Sequence, residues 1–165
     1  MLTQIGYDRV AAVRYAEIWA MGRNPRFPDF EKMGGDCTNF ASQCVYAGCG
    51  TMNYDPAFGW YCTSLNDRTA SWSGVEFLYA FLIGNKSAGP YAEETGTDAL
   101  QPGDLVQLSD PEGRFYHTPV VLSVENSEIL VAAHTFDALS RSLSSYTYSK
   151  LRCLHIVGAR GWKSR

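Results

Sequence analysis

The spacing of hydrophobic positions along this chain changes near residue 100. In residues 7–21, apolar side chains recur close to the 3.6-residue helical period, with arginine and glutamate between them. This pattern predicts a helix that ends before Asn24-Pro25, because proline disfavours helical backbone in the residue before it. Two further helices are predicted, one from Cys37 to about Ala47 and one over 75–83.

The second half of the chain has the spacing and turn residues typical of strands. Strands are predicted over 104–109, 115–124, 128–135 and 153–159. The segment before them, residues 51–70, is rich in Asn, Asp, Gly and Thr and predicts a long loop. Helices followed by an antiparallel sheet predict an α+β fold, with the N-terminal helices packed on a C-terminal sheet in one domain over residues 1–165.

Composition narrows the class of protein. The chain has 165 residues, of which 45% are hydrophobic and 13% aromatic, so it is long enough and apolar enough to form an ordinary globular domain. The formal net charge of −3, without a cluster of Lys or Arg, argues against nucleic-acid binding. We expect a monomer.

The sequence predicts no membrane span and no signal peptide. The most apolar run, residues 75–83, is short and is interrupted by Glu76 and Tyr79. Residues 1–8 lack the charged start and apolar core of a signal peptide. We therefore expect a protein that acts inside the cell, an excised domain, or one exported by another route; the last two favour an extracellular or cell-wall location.

The cysteines indicate free thiols. Five are present, so at least one cannot pair within the chain, which suits reduced thiols better than a disulfide framework. Of their spacings, only Cys44 and Cys49 come near the close pairing of zinc ligands, and we expect no metal and no cofactor. Cys44, Cys49, Cys62 and Cys153 are interpreted as small buried hydrophobic residues.

Cys37 is different because of its neighbours. It follows Gly34-Gly35 and Asp36, which is a good N-cap, and it occupies the first turn of the predicted helix. Unpaired backbone N–H groups and the helix macrodipole stabilise an anion there and lower a thiol's pKa. Cys37 is therefore the candidate nucleophile; the alternative is a buried structural cysteine.

A thiol nucleophile needs a base, and the chain has three histidines. If Asn126-Ser127 form a two-residue turn, Glu125 pairs with Glu128 and His134 lies opposite Pro119. His117 and His134 would then point to the same face as diagonal neighbours. A one-residue change in the turn would move one of them to the other face.

The base usually needs a third group that fixes its tautomer. His134 and Asp137 are both candidates, since a carboxylate also orients an imidazole well. Asn126 is a weak candidate because it lies in the turn. His155 is interpreted as an ordinary surface or interior histidine.

The segment Gly34–Cys44 resembles the hallmark of the bacterial putative amidase domain family, distant relatives of the papain-like cell-wall amidases such as the NlpC-type and CHAP hydrolases. Further matching segments lie in order along nearly the whole chain: Tyr7–Ala16, Asn24–Phe27, Ser71–Gly74, Gly103–Gln107, His117–Val121 and His134-Thr135.

The resemblance implies a papain-like α+β domain in which Cys37 at a helix start faces His117 on the sheet. It also implies that His134 takes the third position, on the strand after the histidine strand. One departure is Pro119, two residues after His117, which removes a ladder hydrogen bond and suggests a sheet edge or bulge.

These features predict a cysteine-dependent amide hydrolase that forms a thioester and acts on cell-wall peptide or muramoyl-peptide amides of peptidoglycan. Backbone N–H groups at the helix start would bind the oxyanion. Asp36 and Gln43 could assist, although a cap and a solvated helix residue are the simpler interpretations. Trp60, Tyr61 and Trp72 could line a substrate groove; the alternative for each is core packing.

Two other functions remain open at this stage. The same Cys-His pair could act on a non-wall target as a deamidase, an acyltransferase or a toxin-like protease. The domain could also be a catalytically idle binding module that keeps the fold for recognition.

Overall fold

The computed structural model describes residues 1–163. The helices are α1 (Arg9–Trp19), α2 (Cys37–Cys49), α3 (Ala70–Ser73) and α4 (Val75–Gly84). The strands are β1 (Leu2–Ile5), β2 (Cys62–Ser64), β3 (Asp67–Arg68), β4 (Gly89–Thr95), β5 (Leu105–Ser109), β6 (Phe115–His117), β7 (Val120–Glu125), β8 (Glu128–Ala133), β9 (Ala138–Ser142) and β10 (Leu151–Trp162).

Eight strands form one antiparallel sheet. The order along it is β1-β10-β5-β7-β8-β9, with β4 also paired to β10 and β6 also paired to β5. The twelve-residue strand β10 pairs with three others and carries an irregularity between Ile156 and Gly158. The fold is a helical layer on a curled antiparallel sheet, which confirms the predicted α+β class.

The predicted helices are present with shifted ends. α1 begins at Arg9 because the Asp8 side chain accepts a hydrogen bond from the Ala11 amide, as an N-cap does. α2 runs two residues past the predicted end and stops at Gly50, which adopts the left-handed backbone conformation that favours glycine.

The predicted strand over 115–124 is interrupted. β6 ends at His117 and β7 begins at Val120, so the break falls at Thr118-Pro119, where proline supplies no amide hydrogen. Glu125 pairs with Glu128 as predicted.

The predicted pairing of Pro119 opposite His134 is wrong, because β7 contains a bulge. The register shifts between Val121 and Ser123, so that Val120 faces Ala132. Moreover, His117 lies on β6, opposite Leu108 of β5, and not on the strand that pairs with β8. The two histidines are therefore not the diagonal neighbours on one sheet face that the turn count predicts.

Several elements were not predicted. The supposed loop over 51–70 contains the β2–β3 hairpin and a bridge between Asn53 and Trp60. β1, β4 and β9 were also missed, since each is short or polar and is defined by its sheet neighbours rather than by its own pattern.

Helix α2 is the buried centre of the helical layer. Eleven of its thirteen residues are buried, including polar ones that find partners: Asn39 accepts from the Trp72 indole, and Ser42 accepts from the Trp60 indole. The start of α2 is thus fixed rigidly by core packing.

A second apolar cluster contains Val106, Leu108, Val121, Val131 and Cys153, with tyrosines of the 146–148 segment packed against it.

Candidate active site

Cys37 is the first residue of α2 and lies against the backbone around His117. Its Sγ is 3.9 Å from the carbonyl oxygen of Tyr116 and 3.7 Å from Oγ1 of Thr38. Gly34 and Gly35 precede it with φ values of 101° and 110°, a backbone conformation that L side chains rarely adopt. The glycine pair thus turns the chain into the helix start, as the sequence pattern indicated.

The pKa of the Cys37 thiol is shifted in the direction opposite to the one the sequence predicts. Only 7% of the residue is exposed, and burial raises the pKa of the thiol above its ordinary value of 9.0, with the Asp36 carboxylate adding to the rise. Hydrogen bonds from Thr118 and Thr38 oppose that rise without cancelling it. Desolvation outweighs the helix start, so Cys37 rests as a thiol.

Asp36 does not cap α2 with its side chain. Its Oδ1 accepts from the Phe30 amide and from Nδ2 of Asn39, each at 2.8 Å, while Oδ2 contacts Nδ1 of His134. The predicted N-cap role is therefore corrected: this fully buried carboxylate joins the loop before α2 to the end of β8.

His134 is held on both ring nitrogens. Nδ1 meets the Asp36 carboxylate, Nε2 donates to the carbonyl oxygen of Trp19 at 2.9 Å, and the ring stacks on Phe40 at 4.1 Å between centroids. Both ring nitrogens of His134 are therefore engaged by oxygen atoms of other residues. Neither nitrogen is free to orient another histidine.

Asp137 is also engaged elsewhere. Its carboxylate takes two hydrogen bonds from the Arg23 guanidinium, at 2.9 and 3.0 Å. The structure therefore brings neither His134 nor Asp137 to the His117 imidazole. Asn126 lies in the β7–β8 turn with a φ of 50°, as the two-residue turn requires.

His117 is a buried imidazole with an unused nitrogen. The residue is 5% exposed, and within residues 1–163 its Nε2 has no hydrogen-bond partner. Burial, together with a smaller contribution from the nearby Arg141 charge, lowers the pKa of His117 to about 4. His117 is thus neutral at physiological pH and carries a nitrogen that can take a proton.

Two threonines connect the helix start to the histidine segment. Oγ1 of Thr38 lies 3.0 Å from Oγ1 of Thr118, and Nε2 of Gln107 lies 3.4 Å from the same Thr118 hydroxyl. All three residues are buried. Sequence reasoning missed this link, although each threonine directly follows one of the two predicted catalytic residues.

The aromatic residues considered for a groove, Trp60, Tyr61 and Trp72, belong to the core. Trp60 and Trp72 have no exposed surface, and Tyr61 is 8% exposed with its hydroxyl donating to Asp67. Both indoles donate to side chains of α2, which explains their burial. The alternative of core packing is the one observed.

Gln43 and His155 have structural partners. Gln43 is buried, rather than solvated as expected, and accepts from the Tyr15 hydroxyl at 2.6 Å. His155 Nδ1 lies 2.9 Å from the buried carboxylate of Asp104, which also binds Arg9.

Two surface cavities lie away from Cys37. One, of about 620 Å³, is bounded by the segment around Asn53–Gly59 and by α4. The other, of about 640 Å³, lies at the β7–β8 turn and Leu143. Neither of these two cavities is lined by Cys37 or His117.

All five cysteines are free and buried. Over residues 1–163, no cluster of three or more His, Cys, Asp or Glu side chains has a metal-binding arrangement. In the same part of the chain, no helix combines the length and apolar character needed to cross a membrane.

Comparison with known proteins gives the family. Residues 6–157 match the family described as "Putative amidase domain". The chain belongs to this amidase domain family. It is 32% identical over 161 residues to the uncharacterized protein YhbB of Bacillus subtilis, and 27% identical over 146 residues to the uncharacterized protein YjcM of the same organism.

These alignments cover 92% and 82% of this chain but only 50% of YhbB and 32% of YjcM. The chain therefore spans half the length of one relative and about a third of the other. No solved structure matches the chain.

Proposed function

We propose that this amidase domain hydrolyses amide bonds with Cys37 as nucleophile and His117 as general base. The observation that carries the proposal is the contact between the Cys37 thiol and the backbone flanking His117, whose buried Nε2 has no partner within residues 1–163. The amidase family supplies the reaction class.

The pKa shifts favour a neutral resting pair over a thiolate and imidazolium. His117 takes the thiol proton while sulfur attacks the carbonyl carbon, forming the S–C bond. The C–N bond then breaks and His117 returns the proton to the leaving amine, giving a thioester. Water, deprotonated by His117, attacks the thioester and releases the acid, and the thiol regains its proton.

The start of α2 is suited to bind the developing oxyanion. The first backbone N–H groups of a helix have no intrahelical partner, and the Asp36 side chain does not cap them. Donors placed in this way stabilise negative charge that develops on the carbonyl oxygen.

The arrangement supports a papain-like interpretation of the fold. A cysteine begins the central buried helix, and a histidine lies on the antiparallel sheet beside it. We extend this to the substrate and infer that the domain cleaves peptide or muramoyl-peptide amides of peptidoglycan, which follows from the resemblance to cell-wall amidases.

The test is digestion of purified peptidoglycan and muropeptides, with products identified by mass spectrometry. Wild type is expected to release new amine and carboxyl ends, Cys37→Ala to release none, and Cys44→Ala, which alters a buried cysteine of the same helix, to retain activity if folded. Wild-type products from Cys37→Ala would exclude the mechanism. Cleavage of other amides but not of wall material would exclude only the substrate.

One observation favours a second function, an idle binding module. The Cys37 thiol is almost completely buried and burial raises its pKa, which are properties of structural cysteines. Incubation with activated thioesters separates the two functions. An enzyme gains an acyl group on Cys37, detectable as a mass increase that Cys37→Ala lacks, whereas an idle module gains none.

A further inference from the structure

Three polar groups lie together at His117: its own Nε2, the Tyr146 hydroxyl and the Arg141 guanidinium. The proposed chemistry uses only Nε2. Besides Nε2 of His117, the hydroxyl oxygen of Tyr146 is buried and has no partner in full hydrogen-bond geometry in residues 1–163. The Arg141 side chain lies close to this hydroxyl and opposes the rise in its pKa that burial causes. The two rings lie 5.6 Å apart between centroids. The Arg141 guanidinium lies over the Tyr146 ring, with Cζ 3.6 Å from its centroid. Unpaired buried polar groups are costly, so two together indicate a place where a ligand supplies the partners.

The Arg141 guanidinium is held in place by hydrogen bonds, but no carboxylate of residues 1–163 pairs with it. Its Nε donates to Oγ of Ser145 at 2.8 Å, Nη2 donates to the Ser145 carbonyl at 3.3 Å, and the Tyr146 ring covers one face. No carboxylate of residues 1–163 lies within 4.0 Å of this guanidinium, in contrast to Arg9 with Asp104 and Arg23 with Asp137. Nη1 has no protein partner in that part of the chain and is not buried.

The charge of Arg141 acts against the proposed base. Its positive charge lowers the pKa of His117 and so disfavours the protonated imidazole that the reaction must form. A fixed cation beside a general base lowers catalytic efficiency unless an anion neutralises it during turnover.

We propose that Arg141 and Tyr146 form a carboxylate-binding subsite next to His117, and that the substrate is an amide carrying a carboxylate near the scissile bond. This inference rests on the proposed hydrolase function of Cys37 and His117. A guanidinium and a hydroxyl offer donors that match the two oxygens of one carboxylate. A single cation suits this monoanion better than a phosphate dianion.

Substrate binding would then activate the base. A carboxylate on Arg141 neutralises the positive charge facing His117, so the imidazole accepts the thiol proton more readily in the complex than in the free protein. An amide without the carboxylate would leave Arg141 unpaired and gain no such assistance.

The first test does not require turnover. Iodoacetate and iodoacetamide have the same leaving group and nearly the same size, and each forms an S–C bond on a thiol while iodide leaves, but only iodoacetate carries a carboxylate. Alkylation of Cys37 is followed by peptide mass spectrometry. The rate ratio of iodoacetate to iodoacetamide is expected to fall about five-fold or more in Arg141→Gln, because the nearby cation attracts the anionic reagent.

Matched variants make the result specific. Arg114→Gln removes an exposed arginine paired with Asp110 and is expected to leave the ratio unchanged. Arg141→Lys keeps the charge and is expected to retain much of the rate ratio. Tyr146→Phe keeps the ring but loses the hydroxyl, and is expected to lower the rate ratio partly. Equal ratios in wild type and Arg141→Gln overturn the inference, as does failure of both reagents to reach Cys37, because a substrate carboxylate must enter by the same route.

A second test separates this inference from the proposed function. Paired peptide amides, identical except for a carboxylate or a carboxamide beside the scissile bond, are compared as substrates. The carboxylate form is expected to have at least a ten-fold higher kcat/KM in the wild type. Arg141→Gln is expected to lower kcat/KM for the carboxylate form and to raise it for the carboxamide form, because the cation no longer opposes protonation of His117. Equal turnover of both that depends on Cys37 rejects the subsite and keeps the hydrolase. An Arg141-dependent alkylation ratio without any turnover keeps the subsite and rejects the hydrolase.

Discussion

At the scale of single residues, the environment of Cys37 decides its chemistry more than its place in the sequence does. A helix start lowers a thiol pKa only where the thiolate is also solvated or paired with a cation. Here the thiol is buried beside the carboxylate of Asp36, and both effects raise its pKa. His117, buried and facing Arg141, has its pKa lowered to about 4. Both shifts place the shared proton on sulfur.

This proton position predicts how Cys37 alkylation depends on pH. Because burial raises the thiol pKa above 9.0, the rate with iodoacetamide should rise through the alkaline range and show no plateau near pH 7. The rate is measured by mass spectrometry of the Cys37 peptide from pH 5 to 10.

His117→Gln is the control for that profile, and it should not shift the profile to higher pH. A plateau at neutral pH in wild type that disappears in His117→Gln would instead indicate a thiolate and imidazolium pair.

At the scale of secondary structure elements, two buried links fix the start of α2. One joins Thr38 to Thr118 at the break between β6 and β7. The other joins Asp36 to His134 at the end of β8. A catalytic pair needs positioning to within a fraction of an ångström, so these links set the geometry between nucleophile and base.

The contact between Thr38 and Thr118 predicts that removing one hydroxyl lowers turnover much more than it lowers stability. Thr118→Val keeps the side-chain shape but removes the hydroxyl that Thr38 and Gln107 contact, which should cost about 1 kcal/mol of unfolding free energy. Turnover should fall about ten-fold or more, because a small displacement of the nucleophile has large kinetic effects.

The matched control is Thr69→Val, which removes a buried hydroxyl that bonds to Ser71 and to the backbone of Tyr61, away from Cys37. It should lose similar stability, measured by urea denaturation, with normal turnover. Equal losses of activity in the two variants would contradict a positioning role for Thr118.

The Asp36–His134 link predicts a large loss of stability. Asp36→Ala leaves Nδ1 of the buried His134 ring, the Asn39 side-chain amide and the Phe30 backbone amide without this carboxylate, and should cost about 3 kcal/mol or more. Asp36→Asn should recover part of this, since its side-chain amide can still bind Nδ1 of His134 while Nε2 keeps its contact with the Trp19 carbonyl.

Asp137→Ala is the comparison for that loss, because it breaks a more exposed ion pair with Arg23 and should cost about 1 kcal/mol or less. Thermal denaturation of Asp36→Ala, Asp36→Asn and Asp137→Ala ranks their losses of stability. Equal effects of Asp36→Ala and Asp137→Ala would show that the buried link is not a main anchor.

At the scale of the whole molecule, the sheet brings together segments that are far apart in sequence. β6 carries His117, and the segment after β9 carries Tyr146. The first strand pairs with the last, since Leu2 faces Trp162. The groups around His117 therefore meet only in the folded protein, and the protonation of His117 is coupled to folding.

That coupling predicts a pH dependence of stability. The pKa of His117 is about 4 in the folded protein and near the ordinary 6.5 when unfolded, so the unfolded state binds more protons between these values. Stability from this group is complete above pH 6.5 and decreases as pH falls toward 4, by an amount on the order of 3 kcal/mol.

Urea unfolding at pH 7 and pH 4.5 measures the effect in wild type and in His117→Gln. The variant should lose less stability between the two pH values. An identical loss in both proteins would mean that His117 is not the group responsible.

The sequence by itself determined the features that depend on local patterns. Helical periodicity located α1, α2 and α4, the glycine pair indicated the turn before Cys37, and Asn126-Ser127 gave the hairpin with Glu125 opposite Glu128. These succeed because backbone preferences and one-sided burial act over a few neighbouring residues.

Tertiary structure alone decided which residues meet. A bulge in β7 and the break at Thr118-Pro119 separate His117 from His134, and no local pattern specifies such irregularities. Burial then reverses the expected shift of the Cys37 pKa, because desolvation depends on everything packed around the thiol. The neighbours of His117, Arg141 and Tyr146, come from a distant segment that only the folded sheet brings into contact.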